Sequence, residues 1–188
     1  MEVFVYLTVI LGILVGLAAI RSRFLSFRGQ RPSEYQGLGP DLDLRRALDG
    51  QNLCEGVVFG PTGRMASRFL ATMTGNWTGD TGVVEMRFTF DGGATQTRCW
   101  QLSVGETGLF ELEADDVIGT GRGQVVGPTA QSIYTIVLPE DVGGHELQVT
   151  DWMYLTEAGT ILNRSQFRKS GMLVAELMAT IRNNEAAQ

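Results

Sequence analysis

The sequence predicts an all-β domain, an antiparallel barrel of nine or ten strands, with one N-terminal transmembrane helix and a short helix before the first strand. Three observations predict it. From Leu53 onward apolar and polar residues alternate with a period of two. Glycine-rich turn segments interrupt those runs about every 10 to 16 residues. Val3 to Ile20 is an unbroken apolar run.

The apolar run comes first. About 18 residues at 1.5 Å each cover roughly 27 Å, close to the hydrocarbon thickness of a bilayer. A cleavable leader has a basic start and a shorter apolar core. Here Glu2 precedes the run, and Arg21, Arg23, Arg28 and Arg31 follow it. No lipid-attachment cysteine lies nearby, since the first cysteine is Cys54. The run is therefore expected to be an uncleaved anchor over residues 1–21. Basic flanks stay cytoplasmic, which places the following domain on the cytoplasmic face, with a periplasmic domain as the alternative. Gly12 and Gly16 form a small-x-x-x-small pair, a possible contact for a helix-mediated dimer within the membrane.

Charge separates the two parts. Residues 1–35 carry four arginines against Glu2 and Glu34, a balance of +2; the remainder carries 11 basic against 19 acidic residues, a balance of −8. An acidic domain cannot draw affinity from phosphate neutralisation, so nucleic acid is excluded as a partner. The expected partners are the lipid bilayer and a lipid-like or fatty-acid-like small molecule.

Residues 22–40 mix Arg, Gly, Pro and Ser without periodicity and read as a juxtamembrane linker. A barrel domain over residues 41–188 follows. Its short leading helix runs from Asp41 to Leu48, with Asp41 as cap, Gly50 as stop, and Leu44 and Leu48 on one face. The strands are then read from their alternation. Val84, Met86, Phe88 and Phe90 share a face, as do Arg98 and Trp100, Phe110 and Leu112, and Leu147, Val149, Asp151 and Met153. Turns fall at Gly79–Gly82, Asp91–Gly93, Gly105–Gly108, Pro139–Gly144 and Glu157–Gly159. No helical crossover separates the strands, which argues against a parallel sheet. Gly171 to Ile181 fits a closing strand, because Leu173, Ala175, Leu177, Ala179 and Ile181 are all apolar; its composition also permits a helix.

Chemistry is sparse. No nucleophile elbow is present. His145, the only histidine, sits in a turn beside Gly143 and Gly144, and with two distant cysteines it makes no zinc site. No metal or cofactor is expected. Gly119, Gly121 and Gly123 share one strand face and suggest a bare inner surface with room for a ring or a ligand. Glu85, Glu111 and Glu113 alternate with apolar partners and read as a solvated outer face. The densest segment is Asp151-Trp152-Met153-Tyr154-Leu155, followed after a turn by Asn163-Arg164. Arg98 and Trp100 repeat the pairing of arginine with an aromatic. Arginine between aromatics inside a barrel can hold a carboxylate or phosphate head; the same residues also fit a buried ion pair in a plain core.

On these motifs the chain resembles a bacterial family of unknown function, mostly lipoproteins, with a lipocalin-like (calycin-type) domain. The resemblance covers roughly residues 35–182. It rests on Gly75-Asn76-Trp77, Arg98-Cys99-Trp100, Asp116-Val117-Ile118-Gly119 and above all Asp151-Trp152-Met153-Tyr154-Leu155 with Asn163-Arg164. It implies a calycin-type barrel at the cell envelope, here at the inner membrane. It implies no reaction, and the spanning helix without a lipidated cysteine departs from the lipoprotein pattern.

The resulting expectation is a membrane-anchored barrel that binds a small amphipathic or lipid-like ligand. Its expected lining is Arg98, Trp100, Trp152, Tyr154 and Arg164, with Asp151 orienting an arginine. Two alternatives stay open. One is a lipid-modifying enzyme with Asp151 or Glu85 as acid or base; the other is a structural or accessory subunit of a membrane complex.

Overall fold

The computed structural model describes residues 2–24 and 26–183. Residue 25 of the expected linker and residues 184–188 of the expected barrel domain lie outside the described residues. The chain forms two compact units, Met1–Glu34 and Tyr35–Gln188.

The first unit is built on α1, Glu2–Phe24. Its segment Glu2–Arg21 has a mean hydropathy of 2.7 and is long and apolar enough to cross a membrane. Glu2 lies in the first turn, where the positive end of the helix dipole favours a carboxylate. Thr8 satisfies its hydroxyl by donating to the Phe4 carbonyl at 2.9 Å. A short 3-10 turn, Phe27–Gly29, follows.

The second unit is a closed antiparallel barrel of ten strands. In order they are β1 Gly50–Phe59, β2 Met65–Thr78, β3 Thr81–Phe90, β4 Thr95–Val104, β5 Leu109–Glu113, β6 Gly121–Val126, β7 Thr129–Val137, β8 Glu146–Leu155, β9 Ile161–Lys169 and β10 Met172–Asn183. Each pairs with its sequence neighbour, and β1 pairs with β10 to close the ring. The all-β, up-and-down expectation is met, and of the expected closing strand Met172 to Ile181 lies in β10 while Gly171 belongs to the turn before it. The period of two does the work. Val84 and Met86 of β3, Phe110 and Leu112 of β5, and Leu147 and Val149 of β8 are buried inside. Their neighbours Glu85, Glu111 and Gln148 are exposed outside. Bulges in the β1–β2 and β9–β10 ladders, at Val58/Phe59 and Leu173/Ala175, shift the register near one end.

A plug closes the opposite end. The helix α2 is only Leu44–Ala47, shorter than the expected Asp41–Leu48. Its cap is Asp43, not Asp41: the Asp43 carboxylate accepts from the Arg45 backbone N–H at 3.0 Å. Arg45 also ties the helix to the β2–β3 turn through Asp80 at 2.7 Å. Leu42, Leu44 and Leu48 are buried in the core. The Leu48 carbonyl lies directly against Gly75 of β2, where any Cβ would collide with it. The plug therefore depends on a glycine two strands away in sequence. Upstream, Leu42 N–H donates to the Gly127 carbonyl at 2.8 Å. Gly127 has φ +53°, and a Cβ there would sit 2.7 Å from the Leu38 carbonyl. Residues 35–43 thus form a strap across the β6–β7 turn.

Candidate functional site

The barrel encloses a cavity of about 130 Å³. Its lining comes from α2 and from nine of the ten strands, β6 excepted. One wall is apolar: Phe69, Met73, Val84, Met86, Phe88 and Leu177. Phe69 packs edge-on against Phe88, with ring centroids 5.4 Å apart. The absence of β6 corrects one expectation. The inner faces of Gly121 and Gly123 are not open. A Cβ at Gly121 would meet Leu112 and Tyr134, each 2.7 Å away, and the Phe110 ring already lies over Gly123. Here the protein's own side chains take the room that the glycines make.

The other wall is polar, and its geometry follows from register. Asp151 of β8 stands opposite Ser132 of β7 and Ser165 of β9, so three inward residues form a row across three strands. Ser165 Oγ donates to Asp151 Oδ1 at 2.8 Å. Asn163 Nδ2 donates to the same oxygen at 2.5 Å and to the Trp152 carbonyl at 3.2 Å. Burial pushes the Asp151 carboxyl above its ordinary range; those two hydrogen bonds and the field of Arg98 oppose the rise without cancelling it. Burial likewise raises the Tyr134 phenol, with Asp151 adding to the effect, so it stays a neutral hydroxyl. Cys54, also in the lining, is pushed up to about 12 by burial. It is a small apolar wall residue and not a nucleophile. Both Cys54 and Cys99 are free thiols.

Arg98 of β4 reaches into the cavity from another side. Its guanidinium lies 3.9 Å from the Trp100 ring centroid and 5.9 Å from that of Tyr134. The two rings meet edge-on at 5.3 Å, joining β4 to β7 across the barrel. Arg98 Nη2 stands 3.0 Å from Asp116 Oδ1 in the β5–β6 loop. This is an ion pair without hydrogen-bond alignment, because Arg98 Nε, Arg98 Nη2 and Asp116 Oδ1 are all buried without a hydrogen-bond partner.

The structure divides the expected site residues into two groups. Arg98, Trp100 and Asp151 line the cavity. Trp152, Tyr154 and Arg164 do not. Alternation along β8 that turns Asp151 and Met153 inward turns Trp152 and Tyr154 outward. Outside, the Trp152 and Tyr154 rings stack at 5.8 Å, and Tyr35 of the strap packs on them at 5.4 and 6.0 Å. Trp152 is 0% exposed although it lies outside the wall. Arg164 is on the same outer face and pairs with Glu176 of β10. Glu85 is exposed on the outside of β3.

Ser132, Tyr134, Asn163 and Ser165 complete the polar wall and were not expected there. The signal for Asn163 and Ser165 was present: they alternate with Arg164, and the hairpin register puts them beside Asp151. Tyr134 had no such signal, because its contacts cross the barrel. Among the described residues, no group of three His, Cys, Asp or Glu side chains is placed to hold a metal ion.

No curated protein matches the chain. The S-type phycobiliprotein lyase CPES from Guillardia theta superposes with a TM-score of 0.53 at 5% identity, over 75% of this chain and 90% of that one. The protein EF1p2_mFAP2b bound to DFHBI gives a TM-score of 0.41 at 9% identity, over 74% and 95%. At such identities the lyase shares the barrel fold alone. Family-level sequence similarity reaches further, since the model for proteins of unknown function DUF3833 matches residues 22–183, and the chain belongs to that family.

Proposed function

We propose that this protein is a membrane-tethered barrel that holds one small amphipathic molecule. The cavity inside the barrel supports this most directly, because apolar side chains and the polar groups of Arg98, Ser132, Tyr134, Asp151 and Ser165 line the same space. A barrel of this kind is either filled by side chains or keeps space for one small guest. At about 130 Å³ the space is close to the roughly 150 Å³ apolar cavity that accepts benzene. It suits one slim chain or one ring. In this reading α1 is the tether, and the arginines after it favour the cytoplasmic face of a bacterial inner membrane under the positive-inside bias, with the periplasmic face as the alternative. Gly12 and Gly16 lie one turn apart on α1 and offer a seam for pairing two tethers.

Native mass spectrometry of the full chain extracted from its membrane tests the reading. A co-purifying small molecule, lost when Ser132→Leu narrows the cavity, is the expected result. An empty protein within a stable larger assembly would favour the accessory-subunit role. A reporter fused after Gln188 tests the side of the membrane, and alkaline phosphatase activity there would reverse the cytoplasmic assignment.

One observation favours a second reading, a lipid-modifying enzyme. Asp151 is a carboxyl with a raised pKa that lines an enclosed cavity, as a general acid or base requires. Asp151→Asn distinguishes the two: a binding protein keeps its guest, whereas an enzyme keeps the guest and loses turnover.

A further inference from the structure

Among the described residues, Arg98 is the only cationic side chain in the cavity lining. Its plane is fixed by the Trp100 ring, so its donors are held in place before any guest arrives. Two of them, on Nε and Nη2, have no hydrogen-bond partner. A buried unpaired donor is costly, and an acceptor placed there is correspondingly favourable.

Asp116 neutralises Arg98 without meeting that need. It sits at 3.0 Å but out of hydrogen-bond alignment, and it is not part of the lining. Its backbone is pinned: the Asp116 carbonyl accepts from Val137 at 2.8 Å, and Val117 bridges to Ile136 of β7. Its side chain is 32% exposed against 17% for Arg98, so it reaches water more readily than the arginine does.

We propose that Arg98 is the docking point for a carboxylate head, and that Asp116 is a stand-in carboxylate which the ligand displaces. This rests on the reading that the cavity binds a small amphipath, and it names the class. Charge decides between heads. Replacing one carboxylate by another leaves the net charge around Arg98 unchanged. A phosphate dianion leaves surplus negative charge beside Asp151. A cation must sit against the guanidinium itself. The guanidinium fork matches the two oxygens of a carboxylate, and the Ser132 hydroxyl, also in the lining, offers a further donor. The small cavity then limits the body to a single slim chain or ring.

The test uses the full chain in lipid nanodiscs, with empty nanodiscs as the control for partitioning. Octanoate, octan-1-ol, octyl phosphate and octylammonium are titrated and followed by tryptophan fluorescence, which Trp100 reports. Octanoate is expected to bind about tenfold or more tighter than the other three, as a charge-assisted, two-pronged contact should. Arg98→Leu should reduce octanoate to the level of octan-1-ol. Asp116→Asn should tighten octanoate and leave octan-1-ol unchanged, because the competing carboxylate is gone. If Arg98→Leu does not fold, the head-group series and Asp116→Asn still decide the matter. Equal binding of octanoate and octan-1-ol by the native protein would overturn the carboxylate assignment and leave the binding reading intact. Weaker octanoate binding by Asp116→Asn would make Asp116 a positioning residue and overturn the stand-in role. Binding of none of the four would overturn both readings together.

Discussion

The inner and outer faces of β8 carry residues from one pentapeptide and do opposite things. Inside, Asp151 and Met153 border empty space, and the carboxyl is held by hydrogen bonds in a setting that resists its ionisation. Outside, Trp152 and Tyr154 stack against each other and against Tyr35, and Trp152 is the largest fully buried side chain among the described residues. Burial alone therefore does not mark a site. The most buried aromatic fastens a strap to the wall, its Nε1 without a hydrogen-bond partner but away from the cavity, while Arg98 lines the cavity with Nε unpartnered and Nη2 held only in the ion pair with Asp116. What distinguishes a binding wall is unused polar capacity next to space.

The sharpest way to break this contrast is Trp152→Ala. Loss of a buried tryptophan costs about 3–5 kcal/mol, so urea denaturation should show a large fall in stability. The protein that remains folded should keep its affinity for octanoate. Normal stability with lost affinity would move Trp152 back into the site.

Asp151→Asn probes the inner face through pH. The folded state raises the Asp151 carboxyl above its unfolded value, so it holds that proton more tightly than the unfolded chain does. Its contribution favours folding at low pH. It is lost as pH rises from the ordinary aspartate range through the raised folded value. Thermal melts of the native protein across that interval should decline with pH more steeply than those of Asp151→Asn. Parallel profiles would mean that the carboxyl is not perturbed.

Tyr35→Ala should act on the outer face alone. Two aromatic contacts are lost, at about 0.5–1.5 kcal/mol each, and the strap should show faster amide exchange while the cavity is unaffected. The smallest effect concerns Cys54. With its thiol raised to about 12 and its side chain buried, it should resist iodoacetamide at pH 8 until the barrel is unfolded. Cys99, half-buried on the outer side of β4, should react first. Equal labelling of the native protein would show that the inner wall opens readily.

The barrel was legible because each strand carries its own record of two faces. Val84 and Met86, or Leu147 and Val149, need no distant partner to declare their side. The same parity along β4 turns Arg98 and Trp100 towards the cavity. Trp152 and Tyr154 were misplaced because their motif was read as a block, when adjacent residues in a strand cannot face one way. Asp116 was beyond reach for a different reason. It sits in a loop without periodicity, and its nearness to Arg98 comes from backbone contacts to β7 that no local pattern encodes. The α2 cap was misjudged between Asp41 and Asp43 because both residues have the required chemistry, and the choice fell to the tie between Arg45 and Asp80.

Nine of the ten ladders join strands that follow each other along the chain, through turns or, after β5 and β7, longer loops. The remaining ladder sets Asn52–Phe59 against Glu176–Asn183, more than a hundred residues apart. Of the ten ladders this seam closes the longest loop and carries the largest loop-closure entropy. Until it zips, the sheet has two bare edges, and α2 has no complete rim to sit in. The cavity wall is complete only where the first and last strands meet, so the ends of the barrel's chain together hold shut the space for a guest.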